Sequence, residues 1–241
     1  MRKFLPIGLM AVITVISCQT VDMNMNNGGY GRSASHEYVD LGLPSGLKWA
    51  TCNLGASAPE QYGDYYAWGE TEPYYSTQSP VSWKDGKSAG YDWTSYRWCI
   101  GPDDSLTKYC TVYSYGYSDN KTVLEMIDDA AHVKWGGKWR MPAINEWQEL
   151  INYCKWSWTT RNGRQGMLGI SNINGNSIFL PAAGGRYGTD LNYTGSNGYY
   201  WSSSLCTDYP YCACYFYFNS DYVDRDFYSR FDGLSIRPVT K

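Results

Sequence analysis

The hydrophobic period changes once along this chain, and that change limits the folds open to it. Ahead of residue 156 two stretches follow a helical period; after it, short apolar runs are stopped by turn residues. The clearer helix starts after Pro142. Ile144, Trp147, Leu150, Ile151 and Cys154 recur at helical spacing, while Asn145, Glu146, Gln148 and Glu149 face water. An earlier helix is expected over Lys121 to His132, with Leu124, Ile127 and Ala131 inward, ending before Gly136-Gly137. Strands are expected at Ser177 to Leu180, stopped by Pro181, at Tyr199 to Ser202, and at Leu234 to Val239. Helices in one block and antiparallel strands in another, joined by long ordered loops, describe an α+β domain rather than a βαβ sheet.

The N-terminus adds a processing signal. Arg2 and Lys3 precede an uncharged, largely apolar run from Phe4 to Ser17 that stops at Cys18. That run is too short to span a membrane and has the layout of a secretory signal. Val15-Ile16-Ser17 ahead of Cys18 resembles a bacterial lipobox, so residues 1–17 are expected to be a lipoprotein signal peptide and Cys18 a lipidation site. An ordinary cleaved signal peptide stays open, because Val15 and Ile16 depart from the commonest lipobox residues. Residues 18–36, rich in Asn, Gly, Ser and Met, read as a flexible linker, and residues 37–241 as one domain. The expected location is the outer membrane, facing the cell surface. Without residues 1–17 two basic and no acidic residues are lost, so the net charge goes from −3 to −5. Nothing in that balance attracts nucleic acid.

Composition matters at two points. Tyr 24 and Trp 11 against Phe 6 gives many amphipathic aromatics, suited equally to a core and to a contact surface. Eight cysteines in an exported chain permit disulfides, and lipidation of Cys18 would leave an odd seven. Cys99 and Cys110 bracket a Gly-Pro-Asp-Asp loop and are candidates for a local bridge, with two reduced thiols as the alternative.

Six stretches then carry a resemblance. They are YVDLGLPSGLKWATCNLG (38–55), YGDYYAWGET (62–71), DDAAHVKWGGKWRMPAINEWQEL (128–150), NGNSIFLPAAG (174–184), GYYWSSS (198–204) and SIRPV (235–239). In this order they resemble the Fibrobacter succinogenes major paralogous domain family of exported bacterial proteins. That family in turn resembles the formylglycine-generating-enzyme type of C-type-lectin-like fold. The helix start of that fold, Arg-Leu-Pro-Thr-x-x-Glu-Trp, corresponds here to Arg140, Met141, Pro142, Ala143, Glu146 and Trp147. Ala143 lacks the usual threonine hydroxyl, a loss worth about 1 kcal/mol of helix capping. The resemblance implies a domain whose two ends pair as strands and whose C-terminal segment crosses the surface as an exposed sheet and loops.

That segment, Leu205 to Gly233, holds six Tyr, four Phe, five Asp and three Cys in 29 residues. It contains no Trp, Met, Gln, Lys or Glu, although those types supply 40 of the 241 residues elsewhere. Codons ending in a pyrimidine cannot encode those five, and asparagine codons with randomised adenines give the complementary set. The segment therefore resembles the variable region of a diversity-generating retroelement target protein of Bacteroidetes. By the family pattern Ala213, Phe216, Phe218, Val223, Arg230 and Gly233 are supports, and Phe216 and Phe218 share a face at strand spacing. Expected ligand contacts are Cys206, Asp208, Tyr209, Tyr211, Cys212, Cys214, Tyr215, Tyr217, Asp221, Tyr222, Asp224, Asp226, Phe227, Tyr228, Ser229, Phe231 and Asp232. Tyr gives contact area at small rotamer cost, and Asp and Ser add adaptable hydrogen bonds, as in a paratope. The ligand is expected to be a protein or glycan on a host, microbial or phage surface, and the membrane is reached through the lipid alone.

Catalysis is poorly supplied, and neither an enzyme nor a cofactor is expected. The related enzymes carry a copper-dependent cysteine pair near the C-terminus, and Cys206 and Cys212 sit in that neighbourhood without its basic groove. Only His36 and His132 exist, too few for a histidine metal cluster. Asp128-Asp129 reads as a helix end rather than a calcium loop, and the Glu-Pro-Asn or Gln-Pro-Asp signature of sugar-binding lectins is missing. A structural role at the tip of a surface fimbria remains an alternative.

Overall fold

The computed structural model describes residues 29–33, 35–73, 90–101 and 105–241; the expected signal peptide, Cys18 and residues 18–28 of the expected linker lie outside them. In chain order the elements are β1 (Tyr30–Ser33), β2 (His36–Asp40), β3 (Lys48–Ala50), α1 (Ala130–Trp135), α2 (Ile144–Tyr153), β4 (Cys154–Arg161), β5 (Arg164–Ser171), β6 (Ser177–Pro181), β7 (Gly185–Tyr187), β8 (Asp190–Asn192), β9 (Gly198–Leu205), β10 (Cys212–Phe218), β11 (Val223–Ser229) and β12 (Val239–Thr240). Among the described residues the strands form four sheets, ordered β1-β2-β3-β12, β4-β5-β6, β7-β8 and β9-β10-β11, and every ladder is antiparallel. Mostly antiparallel sheet with two helices is the α+β architecture expected from the change of period. β12 closes on β3, with Val239 opposite Trp49.

α2 follows its sequence pattern. Trp147 and Leu150 are fully buried, Ile144 and Ile151 pack against the same cluster, and Cys154 opens β4. Ala143 has no side-chain oxygen to cap the helix, so the first turn is satisfied from elsewhere. Glu146 Oε2 accepts the Ala143 N–H at 2.7 Å, and Ser204 Oγ of β9 accepts the Ile144 N–H at 3.1 Å. Arg140 holds the Glu146 carboxylate through both guanidinium arms at 2.7 and 2.6 Å.

Four sequence expectations are corrected. The first helix is shorter: Met126–Asp128 is a 3-10 turn, α1 begins only at Ala130, and Ile127 is 74% exposed. Thr122 and Leu124 instead bond the backbone of β9, through Leu205 N–H to Thr122 O and Leu124 N–H to Ser203 O. Asp129 then caps α1 by accepting the His132 N–H, and Gly136 ends it at φ 68°. The terminal strand is only Val239–Thr240; Leu234 and Ser235 make single bridges to Tyr66 and Tyr200. Tyr30–Ser33, inside the expected linker, is a strand on β2, and His36 stacks on Trp135 with centroids 3.8 Å apart. Cys99 and Cys110 do not bridge each other, and each thiol donates to a carbonyl two residues on, Gly101 O and Val112 O.

The excess of Tyr and Trp over Phe has a structural reason. Long loops carry carbonyls that no ladder satisfies, and buried phenol and indole groups supply the missing donors. Tyr65 donates to Ala183 O, Tyr96 to Trp68 O and Tyr200 to Pro181 O, while Trp68 donates to Ser202 O and Trp201 to Tyr66 O. Two buried arginines do the same on a larger scale. Arg237 donates to Ala50 O, Thr51 O, Phe179 O and Asn53 Oδ1, and Arg230 to Lys108 O, Tyr109 O, Pro210 O and the Tyr96 hydroxyl.

Candidate functional site

The sheet β9-β10-β11 has one fixed strand and one displayed strand. β10 lies in the middle, and its Phe216 and Phe218 are fully buried beneath α2, Phe216 against Trp147 and Phe218 against Tyr200. β11 is an edge, and Asp224, Arg225, Asp226, Phe227 and Tyr228 along it are all exposed. Cross-strand register puts Tyr217 opposite Asp224, Tyr215 opposite Asp226 and Ala213 opposite Tyr228. Because side chains alternate, these six share the face turned away from Phe216 and Phe218.

On that face the structure forms a cup of about 450 Å³, lined by Tyr187, Tyr193, Asn197, Tyr199, Tyr215, Tyr217, Tyr222, Asp224, Arg225, Asp226 and Tyr228. The rings are inclined to one another: Tyr215 to Tyr217 at 88°, Tyr187 to Tyr228 at 69°, Tyr217 to Tyr222 at 57°. Asn197 Nδ2 fixes two of them, donating to the Tyr199 hydroxyl at 2.8 Å and the Tyr217 hydroxyl at 3.1 Å, and Asn219 Nδ2 reaches Tyr217 from the other side at 3.2 Å. Burial holds the Tyr199 phenol up at about 12 and the Tyr187 and Tyr215 phenols higher still, so these three present neutral hydroxyls and rings to the cup.

The seventeen expected contacts separate into three groups. Asp208, Tyr209, Asp221, Tyr222, Asp224, Asp226, Phe227 and Tyr228 are exposed. Cys206, Tyr211, Cys214, Tyr217, Ser229 and Phe231 are half-buried; Phe231 is pinned on Trp93 with centroids 4.8 Å apart. Cys212, Tyr215 and Asp232 are corrections, being 6%, 5% and 1% exposed. A central strand has neighbours at both edges, so the Tyr215 ring is hemmed by Tyr199 and Trp201 of β9 and Tyr228 of β11 and forms the floor of the cup rather than its rim. Tyr209 and Phe227 stack at 5.5 Å in a smaller aromatic patch away from the cup.

The expected supports hold their places. Ala213, Phe216, Phe218, Arg230 and Gly233 are buried, Val223 packs against the α2 cluster, and a side chain at Gly233 would meet the Tyr91 ring at 2.6 Å. Asp232 is the anomaly beneath the site. Burial alone pushes its carboxyl up to about 8, and its Oδ2 finds no hydrogen-bond partner. Burial also raises the Cys212 thiol to about 12 and the Cys214 thiol to about 11, opposite to what an activated cysteine needs. Asp128 is bonded to Lys108 and Tyr109 and Asp129 to the start of α1, so both serve the frame.

Tyr187, Tyr193, Asn197 and Tyr199, which wall the cup on the β7–β8 side, were not expected. For Tyr187, Tyr193 and Asn197 the sequence signal is the run of turn residues around Gly188 and Gly195, which marks loops without saying where they fold; Tyr199 opens the strand expected at Tyr199 to Ser202, which spacing alone does not join to the site. A larger hollow of about 710 Å³ between β1, β2 and β6 contains none of the expected residues. Comparison with family models, curated proteins and solved structures returned no match.

Proposed function

We propose that this chain is a surface-displayed ligand-binding lipoprotein, adhesin-like or receptor-like, with a C-type-lectin-like domain. Its segment 205–233 is diversified by adenine-specific retroelement mutagenesis. The observation that carries the reading is the split along β10 and β11. Supports lie under α2 or in the buried core, while the Tyr, Asp and Phe residues reachable from asparagine codons crowd the edge strand and the cup beside it. A surface meant to change must not be needed for folding, and an edge strand laid on a packed middle strand meets that condition. Exposed aromatics in this number would otherwise favour aggregation, which an interaction role explains. The raised thiols of buried Cys212 and half-buried Cys214 give no support to a cysteine oxidase.

The nucleotide sequence of the locus tests this. Pyrimidine-ended codons at the contact positions, a nearby template copy with AAC or AAT at the same places, and a reverse transcriptase gene are expected. Purine-ended codons there, with no template copy, would overturn the diversification.

A further inference from the structure

The chemistry of the cup narrows the class of ligand beyond its being a recognition surface, and rests on that reading. Inclined neutral phenol rings present their faces inward from several directions, and ring faces attract cations. Asp224 and Asp226 stand at the rim, each accepting one backbone N–H from the next residue, Arg225 N–H at 2.8 Å and Phe227 N–H at 2.8 Å. Among the described residues neither carboxylate has an ion-pair partner. Arg225 borders the cup, but it lies opposite Phe216 in the register, and alternation along β11 directs its guanidinium to that face, where it acts on the Cys214 thiol.

A second, independent feature lies underneath. Asp232 is 1% exposed, sits close enough to Tyr187 and Tyr228 to influence both phenols, and has a carboxylate oxygen without a partner. The two rim carboxylates beside neutral rings disfavour an anionic ligand, and Asp232 beneath them adds an unpartnered carboxyl oxygen. Flat stacking of a sugar would use parallel, open rings, whereas here Tyr215 and Tyr217 stand at 88°.

We propose that the cup takes an organic cation, the ammonium, quaternary ammonium or guanidinium group of its ligand, held on the tyrosine faces with Asp224 and Asp226 at the rim and Asp232 beneath. The volume of about 450 Å³ accommodates such a group with its attached chain rather than a bare ion. The cation belongs either to a small molecule or to a basic side chain of a protein.

The test is titration of the purified domain, followed through its tyrosine ring resonances. Probes are choline, its neutral isostere 3,3-dimethylbutanol, Nα-acetyl-lysine amide and Nα-acetyl-arginine amide. At least one cation should bind saturably, about tenfold or more tighter than 3,3-dimethylbutanol. The paired substitution Asp224→Asn with Asp226→Asn should weaken that binding about tenfold or more, and Glu72→Gln, an exposed carboxylate outside the cup, should leave it within about twofold. Preference for choline would identify a small quaternary amine, and preference for the lysine or arginine derivative a basic peptide. Equal binding of the neutral isostere, or no ring response to any cation, would overturn the cation assignment. Neither result touches the recognition reading, which the locus sequence tests separately.

Discussion

Trp147 of α2 lies face to face on Phe216 of β10, with ring centroids 4.5 Å apart and planes 4° from parallel. The contact sets the inner face of the middle strand, and the alternation that follows turns Tyr215 and Tyr217 toward the cup. Phe216→Ala should therefore cost about 3–5 kcal/mol of stability, the range for emptying a buried aromatic site. Tyr222→Ala, at a position 52% exposed, should cost under about 1 kcal/mol. Urea unfolding of the two variants measures both, and similar losses would contradict the division into frame and display.

Arg230 offers a different test of the frame. Its guanidinium is fully buried, with four oxygen partners on three separate stretches of chain. Arg230→Ala should cost about 3 kcal/mol or more, because it leaves three carbonyls without this donor and empties a large buried site. Arg230→Lys should recover little, because one ammonium cannot reach partners arranged for a planar fork. A lysine variant as stable as the parent in thermal unfolding would show that charge, not geometry, is what the site requires.

Asp232 makes stability depend on pH. Its carboxyl titrates near 8 in the folded chain against 3.8 for an ordinary aspartate. Between those values the folded state holds a proton that the unfolded chain releases, so stability falls as pH rises through the window and levels off above it. The slope is at most about 1.4 kcal/mol per pH unit. Asp232→Asn should remove this component, so its thermal midpoint should gain on the parent from pH 5 to pH 8. Parallel curves would place the carboxyl's proton equilibrium elsewhere.

Ser204 replaces a missing cap. Its hydroxyl accepts the first N–H of α2 from another strand, where Ala143 provides no oxygen. Ser204→Ala should cost about 1 kcal/mol, and Ala143→Thr in that background should recover most of it. If Ala143→Thr gives nothing back in chemical unfolding, the N-terminus of α2 is satisfied some other way.

Legibility in the sequence followed the length of the period. Ile144 to Ile151 spans two turns, so α2 could be read directly; Phe216 and Phe218 show strand spacing, while Ala213, Val223, Arg230 and Gly233 were assigned as supports by resemblance alone. Leu124 and Ile127 also fall at helical spacing, yet the chain there bonds to β9 and turns sharply before Asp129 caps α1. Tyr215 looked like a contact because it alternates with Phe216; its burial comes from rings on the flanking strands, Tyr199 and Trp201 of β9 and Tyr228 of β11, which spacing within one strand does not report. Tyr187 reaches the cup from a three-residue strand and Tyr193 from the turn after β8, both through long-range packing beyond the reach of any local pattern.

The central claim is that a rigid frame presents a face free to vary. Its most direct measurement is folding yield and thermal midpoint across two libraries. One randomises Tyr217, Tyr222, Asp224, Asp226, Phe227 and Tyr228 together; the other randomises Ala213, Phe216, Phe218, Arg230 and Gly233. Most members of the first should fold with midpoints close to the parent, and nearly all of the second should fail. Equal failure in the two libraries would mean that the tyrosine face holds the domain together, and would contradict its assignment to recognition.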